Sequence, residues 1–150
     1  MVAGKINLSI DSDLSQVQHV GEAVRVLCSH LDLIAAKPSS VELAVVEAVN
    51  NSIEHAYSSE SGNSVDVSFE YDADCLSIKI CDYGAPMPKS IAGQLSSDIH
   101  MPSEAVEMDD LPVSGWGMQL LKSVCDEVSY HRQHSRNTLS LSFKLAAETA

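Results

Sequence analysis

One stretch, Val41–Tyr57, is apolar on one side and polar on the other when it is placed on a helix. At about 100° per residue, its wide apolar face consists of Val41, Val45, Ala48, Val49, Ile53 and Ala56. The narrow opposite stripe consists of Glu47, Asn51, Glu54 and His55, with Asn50 at its edge. This pattern predicts an amphipathic helix that buries one of its sides.

The start of this helix and the chemistry of its polar stripe follow from residue spacing. Ser39 followed by Glu42, directly after Pro38, has the spacing of a capping box, so the helix is predicted to begin there. Glu47 and Asn51 are four residues apart and therefore lie one above the other. A carboxylate beside a carboxamide can orient water as a base and can supply oxygen ligands to Mg²⁺. The same spacing is typical of a solvated helix face, and this helix alone leaves both interpretations open.

Alternating and helical patterns elsewhere predict an α+β chain. The predicted elements, in order, are strand Lys5–Ile10, helices Leu14–Leu33 and Val41–Tyr57, strands Val65–Tyr71 and Cys75–Asp82, helix Met118–Cys125, and strands Val128–Arg132 and Thr138–Leu145. Asp11–Asp13 offers an N-cap, and Asn137 is expected near the turn of the last hairpin. This order predicts a two-layer α/β sandwich, a mostly antiparallel sheet covered on one face by helices.

The segment Pro88–Ser114 shows no long period and is rich in acidic residues and proline. Loops of this length inside a compact domain are usually functional lids or disordered segments. Both a floppy acidic insertion and a lid over a ligand are compatible with the sequence at this point.

Composition excludes several classes of function. The 150 residues suit a single domain, 1–150, with 45% hydrophobic residues to build its core. The net charge of −12 argues against a nucleic-acid or anionic-membrane surface. Neither a signal peptide nor a run of roughly 18 apolar residues is present, so a cytoplasmic protein is expected. Cys28, Cys75, Cys81 and Cys125 have no C-x-x-C spacing, which favours free buried thiols over a zinc site.

Two further motifs are weak alone and stronger together. Asp82-x-Gly84 places a carboxylate at a strand end, where it can accept the exocyclic amine of a purine while the glycine leaves room for the ring. Gly115-x-Gly117 begins a predicted helix, whose backbone N–H groups can bind phosphate. Both follow the Glu47/Asn51 stripe, and a long segment separates them.

In this order the motifs resemble the nucleotide-binding domain shared by gyrase, heat-shock chaperones, histidine kinases and mismatch-repair proteins, and especially its branch of anti-sigma-factor serine kinases. EAVNNSIEHAY resembles the N-box of that branch, CDYGAPMP its D-x-G box, and GWGMQLLKSVCDEVSY its G-x-G helix followed by a D-E-V strand. The resemblance covers roughly Leu14 to Leu145. It implies the two-layer ATP-binding fold known as the Bergerat fold, with an ATP lid at about 86–114.

The resemblance also implies a role for each matching residue. Glu47 would act as the catalytic base, and Asn51 would bind Mg²⁺. The other expected nucleotide contacts are His55 in the pocket, Asp82 and Gly84 at the adenine, Gly115 and Gly117 at the phosphates, and Thr138 behind the adenine. Trp116 is expected either to support the phosphate loop or to anchor a partner protein.

The implied function is that of a Mg-ATP-dependent serine/threonine kinase. It would phosphorylate a small antagonist protein and control a sigma factor or similar regulator by partner switching, as a homodimer. One departure favours an alternative, an adaptor that binds ATP and a partner without phosphoryl transfer. Members of the branch commonly have an arginine just before the G-x-G, where it neutralises the transferring phosphate, whereas this chain has Val113 and Ser114.

Overall fold

Five antiparallel strands form one sheet, and its strand order explains how distant motifs meet. The computed structural model of the protein describes residues 3–96 and 117–146. The strands are β1 Gly4–Asp11, β2 Ser64–Tyr71, β3 Cys75–Asp82, β4 Glu127–Gln133 and β5 Arg136–Lys144. Their order across the sheet is β1-β2-β3-β5-β4, and each neighbouring pair is antiparallel. Because β5 lies beside β3, Asp82 at the end of β3 pairs directly with Asn137.

Helices cover one face of this sheet. They are α1 Val17–Cys28, α2 Pro38–Asn51, α3 Lys89–Ser96 and α4 Met118–Val124. On β3, alternate residues Leu76, Ile78 and Ile80 are buried under the helices, whereas Lys79 between them is exposed on the outer face. The two-layer α+β sandwich predicted from the sequence is therefore confirmed, and each predicted strand is present within two residues of its expected ends.

The two long helices pack closely because one of them has a glycine at the contact. A Cβ atom at Gly21 would lie 2.8 Å from Cγ2 of Val46, so only glycine allows α1 to approach α2 this closely. Arg25 and Glu42 form an ion pair at 3.2 Å across the same contact. Fully burying a valine side chain stabilises a fold by about 1.5–3 kcal/mol, and Val24 of α1 and Val41 of α2 are both completely buried.

The expected start of α2 at a capping box is wrong. The helix begins at Pro38, its N-cap is Lys37 with extended backbone, and no side chain caps it. Proline suits the first helical position because its φ is fixed near the helical value and its missing N–H would have no partner there. Ser39 therefore lies inside the helix, and Glu42 is paired with Arg25 instead of reaching back to the N-terminus.

The first predicted helix is shorter than Leu14–Leu33. Asp13 does act as an N-cap, accepting a hydrogen bond from the Ser15 N–H at 2.9 Å, but it begins a short 3-10 turn that precedes α1. The helix ends at Cys28. Leu33 forms a β-bridge with Leu145, which requires extended backbone where the apolar spacing predicted helix.

The second predicted helix, Val41–Tyr57, changes its winding near its end. After Asn51 the chain makes one turn of π-helix, Ser52–Ala56, in which the Tyr57 N–H donates to the Ser52 carbonyl at 3.1 Å. Such turns often occur at functional sites. Of the predicted apolar face, only Ala56, within this turn, is half-buried rather than buried.

The segment expected to be the lid contains a helix that its sequence pattern did not predict. α3 covers Lys89–Ser96, at the start of that segment, with Ile91 buried and Leu95 packed against the core. Eight residues give little more than two turns, too few for a clear period. Lys122 of α4 donates to the carbonyl of Gln94 at 2.7 Å and so attaches α3 to α4. Residues 97–114 lie outside the described residues.

The cysteines are free, as the sequence predicted. Cys28, Cys81 and Cys125 are buried and Cys75 is half-buried. Burial raises the pKa of the Cys28 and Cys125 thiols to about 12, with Asp126 adding to the effect at Cys125. Across residues 3–96 and 117–146, none of the helices is long and apolar enough to cross a bilayer.

Candidate active site

The polar stripe of α2 meets the last glycine of the G-x-G motif. A Cβ atom on Gly117 would lie 2.7 Å from Cδ of Glu47, and nearer still to its Oε1. Gly117 is the N-cap of α4 and has a φ of +61°, in the left-handed region that favours glycine. The backbone conformation thus favours glycine here, and any larger residue would also displace the Glu47 carboxylate beside it. Gly115 and Trp116 lie outside the described residues.

Glu47 has the properties of a proton acceptor. It is half-buried, and burial is the main cause that raises its pKa above the ordinary range of a glutamate. The charge of Glu54 raises this pKa further, whereas His55 lowers it. A carboxylate whose pKa is shifted toward neutrality is a better general base near pH 7 than an ordinary one.

Asn51 and Asp82 line one cavity between α2 and the ends of β3 and β5. Both are almost completely buried, at 3% and 6% exposure, so this part of the helix is not a solvated face. The apolar lining includes Ala48, Ile80 and Leu139. The cavity has a volume of about 20 Å³, room for about one water molecule. A purine base can enter only if the lining side chains or the adjoining loop move outward.

Asn137 is a site residue that sequence analysis missed. It is 3% exposed, and its Nδ2 donates to Asp82 Oδ1 at 2.7 Å. The same nitrogen donates to the carbonyl oxygens of Gly84 and Ala85, each at 3.1 Å. The Gly84 N–H also donates to Asp82 Oδ1, at 3.1 Å. The carboxylate of Asp82 is therefore held at one oxygen by two donors.

The other end of the Asn137 carboxamide accepts two hydrogen bonds. Its Oδ1 accepts a hydrogen bond from the Tyr130 hydroxyl at 2.8 Å and another from Nη1 of Arg132 at 2.7 Å. The Tyr130 hydroxyl oxygen accepts a hydrogen bond from the Met87 N–H at 2.9 Å, so the hydroxyl hydrogen is directed to Asn137. This arrangement fixes which end of the carboxamide is oxygen, because a flipped amide would place donors against donors.

Thr138 does not belong to this site. It is half-buried on the outer face of the sheet, where its Oγ1 is 3.6 Å from Sγ of Cys81. Successive residues of a strand point to opposite faces. Since Leu139, Leu141 and Phe143 face the core, the same alternation places Asn137 on the core face and Thr138 opposite. That alternation was visible in the sequence and would have identified Asn137.

His55 and Gly84 are near the site, in places that differ from the expectation. His55 is half-buried in the π turn and acts electrostatically on Glu47, but it is not part of the cavity lining. A Cβ atom on Gly84 would lie 2.6 Å from the carbonyl carbon of Ala56. The Ala85 N–H donates to the Ala56 carbonyl oxygen at 2.9 Å. Glycine at position 84 is therefore explained by the contact between the D-x-G loop and the π turn.

The donors and acceptors suit a purine nucleotide with a hard cation. Asp82 offers a buried carboxylate acceptor of the kind that binds an amino group, and the oxygens of Glu47 and Asn51 are ligands that Mg²⁺ accepts. In the described part of the chain, His, Cys, Asp and Glu side chains do not gather in groups of three or more that could hold a metal. A cation here would thus take much of its coordination from phosphate oxygens and water, as Mg²⁺ usually does.

Comparison with models of known protein families finds a match that covers most of this chain. The model of the histidine kinase-like ATPase domain matches residues 10–143 of this chain. The chain belongs to this family. The superfamily stated from the sequence motifs is therefore confirmed.

The curated relatives that match this chain are all named serine-protein kinase RsbW. A serine-protein kinase RsbW from Oceanobacillus iheyensis is 28% identical over 120 residues, covering 78% of this chain and 74% of the relative. The serine-protein kinase RsbW of Bacillus subtilis is 27% identical over 108 residues, covering 72% of this chain and 65% of the relative. These relatives support the likeness to the serine-kinase branch.

Solved structures confirm the fold. A Mycobacterium tuberculosis protein with RsbU and RsbW domains matches with a TM-score of 0.60 at 13% identity, over 98% of this chain. This chain corresponds to 34% of that longer one. The catalytic domain of the histidine kinase ThkA matches with a TM-score of 0.57 at 10% identity, over 97% of both chains.

Proposed function

We propose that this chain is a single Mg-ATP-dependent kinase domain that phosphorylates a serine or threonine of a small antagonist protein. The observation that supports this most directly is the contact between Glu47 and Gly117. It puts a carboxylate with a raised pKa beside the phosphate-binding motif, while Asp82 and Asn51 line the cavity behind it. The similarity to serine-protein kinases supports the same conclusion.

In this proposal each residue has one role. Glu47 orients the acceptor hydroxyl and takes its proton, and Asn51 holds the cation. Asp82 accepts a hydrogen bond from the amino group of adenine. The backbone of Gly115 and Gly117 contacts the phosphates, and Trp116 supports that loop. His55 lowers the pKa of Glu47. Bound Mg-ATP supplies the phosphoryl group and part of the charge neutralisation.

The wider proposal concerns regulation. The domain would act in the cytoplasm as a homodimer with a lid at about 86–114, would bind a sigma factor or similar regulator, and would exchange it for the antagonist. The net charge of −12 suits a partner with basic segments. Neither a nucleic acid nor a membrane is expected as a partner.

A second candidate is an adaptor that binds ATP and a partner without phosphoryl transfer. The observation that favours it is the position of the nearby cations. Lys122, which could have replaced the missing arginine, donates to Gln94 in α3, and Arg132 contacts Gly84 and Asn137. Both cations are therefore already hydrogen-bonded to groups of the protein.

Calorimetric titration with ATP, with and without Mg²⁺, followed by label transfer from γ-labelled ATP to co-purified proteins, tests both candidates. Mg-dependent binding with a labelled partner is expected, and Glu47→Gln should keep the binding while losing the label. Asn51→Ala should lose the Mg-dependent part of the affinity. Binding without transfer would favour the adaptor, and an absence of ATP binding would contradict both. Sedimentation equilibrium of the same sample tests the dimer.

A further inference from the structure

Arg132 connects two parts of the proposed adenine pocket. Its Nη1 donates to the carbonyl oxygen of Gly84 at 3.1 Å and to Oδ1 of Asn137 at 2.7 Å. Gly84 belongs to the loop after β3, and Asn137 belongs to β5. One guanidinium nitrogen on the edge strand β4 therefore holds the D-x-G loop against the strand that faces Asp82.

The hydrogen bond from Arg132 also has a consequence for Asp82. The guanidinium and the Tyr130 hydroxyl both donate to Oδ1 of Asn137, and together they keep the opposite end of that carboxamide, Nδ2, pointed at Asp82 Oδ1. The hydrogen bonds that Asp82 receives from the described residues both end at Oδ1. Its carboxylate is thus fixed in one orientation, with Oδ2 remaining as the acceptor for a ligand.

We propose that Arg132 is a positioning residue that, through Asn137, sets the selectivity of this pocket for a purine carrying an amino group at carbon 6. The inference rests on the proposed function in that it assumes ATP binds here. Adenine presents an amino donor at carbon 6, where guanine presents a carbonyl oxygen that a fixed carboxylate repels. A carboxylate that rotates freely would lose part of this discrimination.

The test compares ATP with purine riboside triphosphate, which lacks only the amino group. Dissociation constants for both are measured by calorimetry with Mg²⁺ for the unaltered protein and for Arg132→Ala. The hydrogen bond to a charged carboxylate should make ATP bind about tenfold more tightly in the unaltered protein. Arg132→Ala should reduce this ratio by about threefold or more, the value of roughly half of such a bond.

Matched variants separate positioning from general loosening. His131→Ala changes the neighbouring exposed residue on the other face of β4 and should leave the ratio unchanged. Arg132→Lys keeps the charge without the guanidinium geometry and should give an intermediate ratio. In an Asp82→Asn background, Arg132→Ala should have no further effect on the ratio, because the two act through one interaction.

The outcomes are distinct. If Arg132→Ala weakens ATP and purine riboside triphosphate equally, Arg132 only stabilises the loop and the inference is wrong. If the effect persists in the Asp82→Asn background, Arg132 does not act through Asp82, and the inference is again wrong. Failure of the unaltered protein to bind either nucleotide would overturn the proposed function itself. Arg132 is exposed, so its replacement should leave the fold intact. Thermal unfolding of each variant verifies this.

Discussion

The pKa of the Glu47 carboxylate is influenced by two ionisable neighbours on its own polypeptide segment. Burial raises its pKa most, Glu54 raises it further, and His55 lowers it. As a base, Glu47 is active when ionised, so phosphoryl transfer should be lost as the pH falls through its pKa. Glu54 is exposed, so its charge can be removed without disturbing the core.

Glu54→Gln should therefore lower the pKa of Glu47 and move the acid limb of the pH–rate profile to lower pH. Carbon NMR titration of the Glu47 side chain should show the same displacement, independently of activity. The shift should be only part of the total elevation, since burial remains. Glu70→Gln, an equal change of charge on the outer sheet face, should leave both curves in place. A limb that stays fixed in Glu54→Gln would exclude Glu47 as the titrating base.

At the level of elements, the D-x-G loop depends on the π turn that ends the α2 segment. The Ala85 N–H is bonded to the Ala56 carbonyl, and Gly84 has no room for a side chain there. Gly84→Ala should push the loop off the turn and destabilise the protein by about 1–3 kcal/mol, which corresponds to roughly 2–4 °C in Tm for each kcal/mol. Thermal denaturation measures this.

Gly93→Ala is the matched control, because a Cβ atom at Gly93 would have no neighbour within 4 Å among the residues that the structure describes. In the exposed part of α3 alanine should leave stability unchanged or raise it by up to about 1 kcal/mol. Equal stability of Gly84→Ala and the unaltered protein would mean that the loop does not need its contact with Ala56.

These element contacts also show what the sequence could and could not predict. Alternation along Cys75–Asp82 and helical spacing through Val41–Ile53 are repeated local signals, so the strands, the main helices and the two-layer arrangement were predictable. The π turn packs against the D-x-G loop, which is distant in sequence. Leu33, where the apolar spacing predicted helix, forms its bridge with the distant Leu145. Local periodicity contains no information about such long-range contacts.

The residues of the candidate site also fall into those that the sequence could predict and those that it could not. Glu47, Asn51 and Asp82 were predictable because each lies at a fixed position in a motif. Asn137 was also within reach, since the alternation of Leu139 and Phe143 places it on the core face. The role of Arg132 was not predictable, because β4 and the D-x-G loop meet only through the strand order β3-β5-β4.

At the scale of the whole molecule, the net charge of −12 opposes the approach of an anionic nucleotide. The repulsion acts over long distances and is screened by salt, with a Debye length that falls from roughly 30 Å at 0.01 M to roughly 8 Å at 0.15 M ionic strength. The association rate constant of Mg-ATP should therefore increase with salt over this range, opposite to the behaviour of a basic nucleotide-binding surface.

Stopped-flow measurements with a fluorescent ATP analogue test this directly. A neutral adenosine derivative with the same fluorophore is the control, and its association rate should be independent of salt because it feels no long-range field. An association rate for the ATP analogue that falls with salt would mean that a local positive field, to which Lys122 and Arg132 would contribute, outweighs the net charge at the pocket entrance. Such a field would supply part of the charge neutralisation that the missing arginine would otherwise provide, which would favour the kinase over the adaptor.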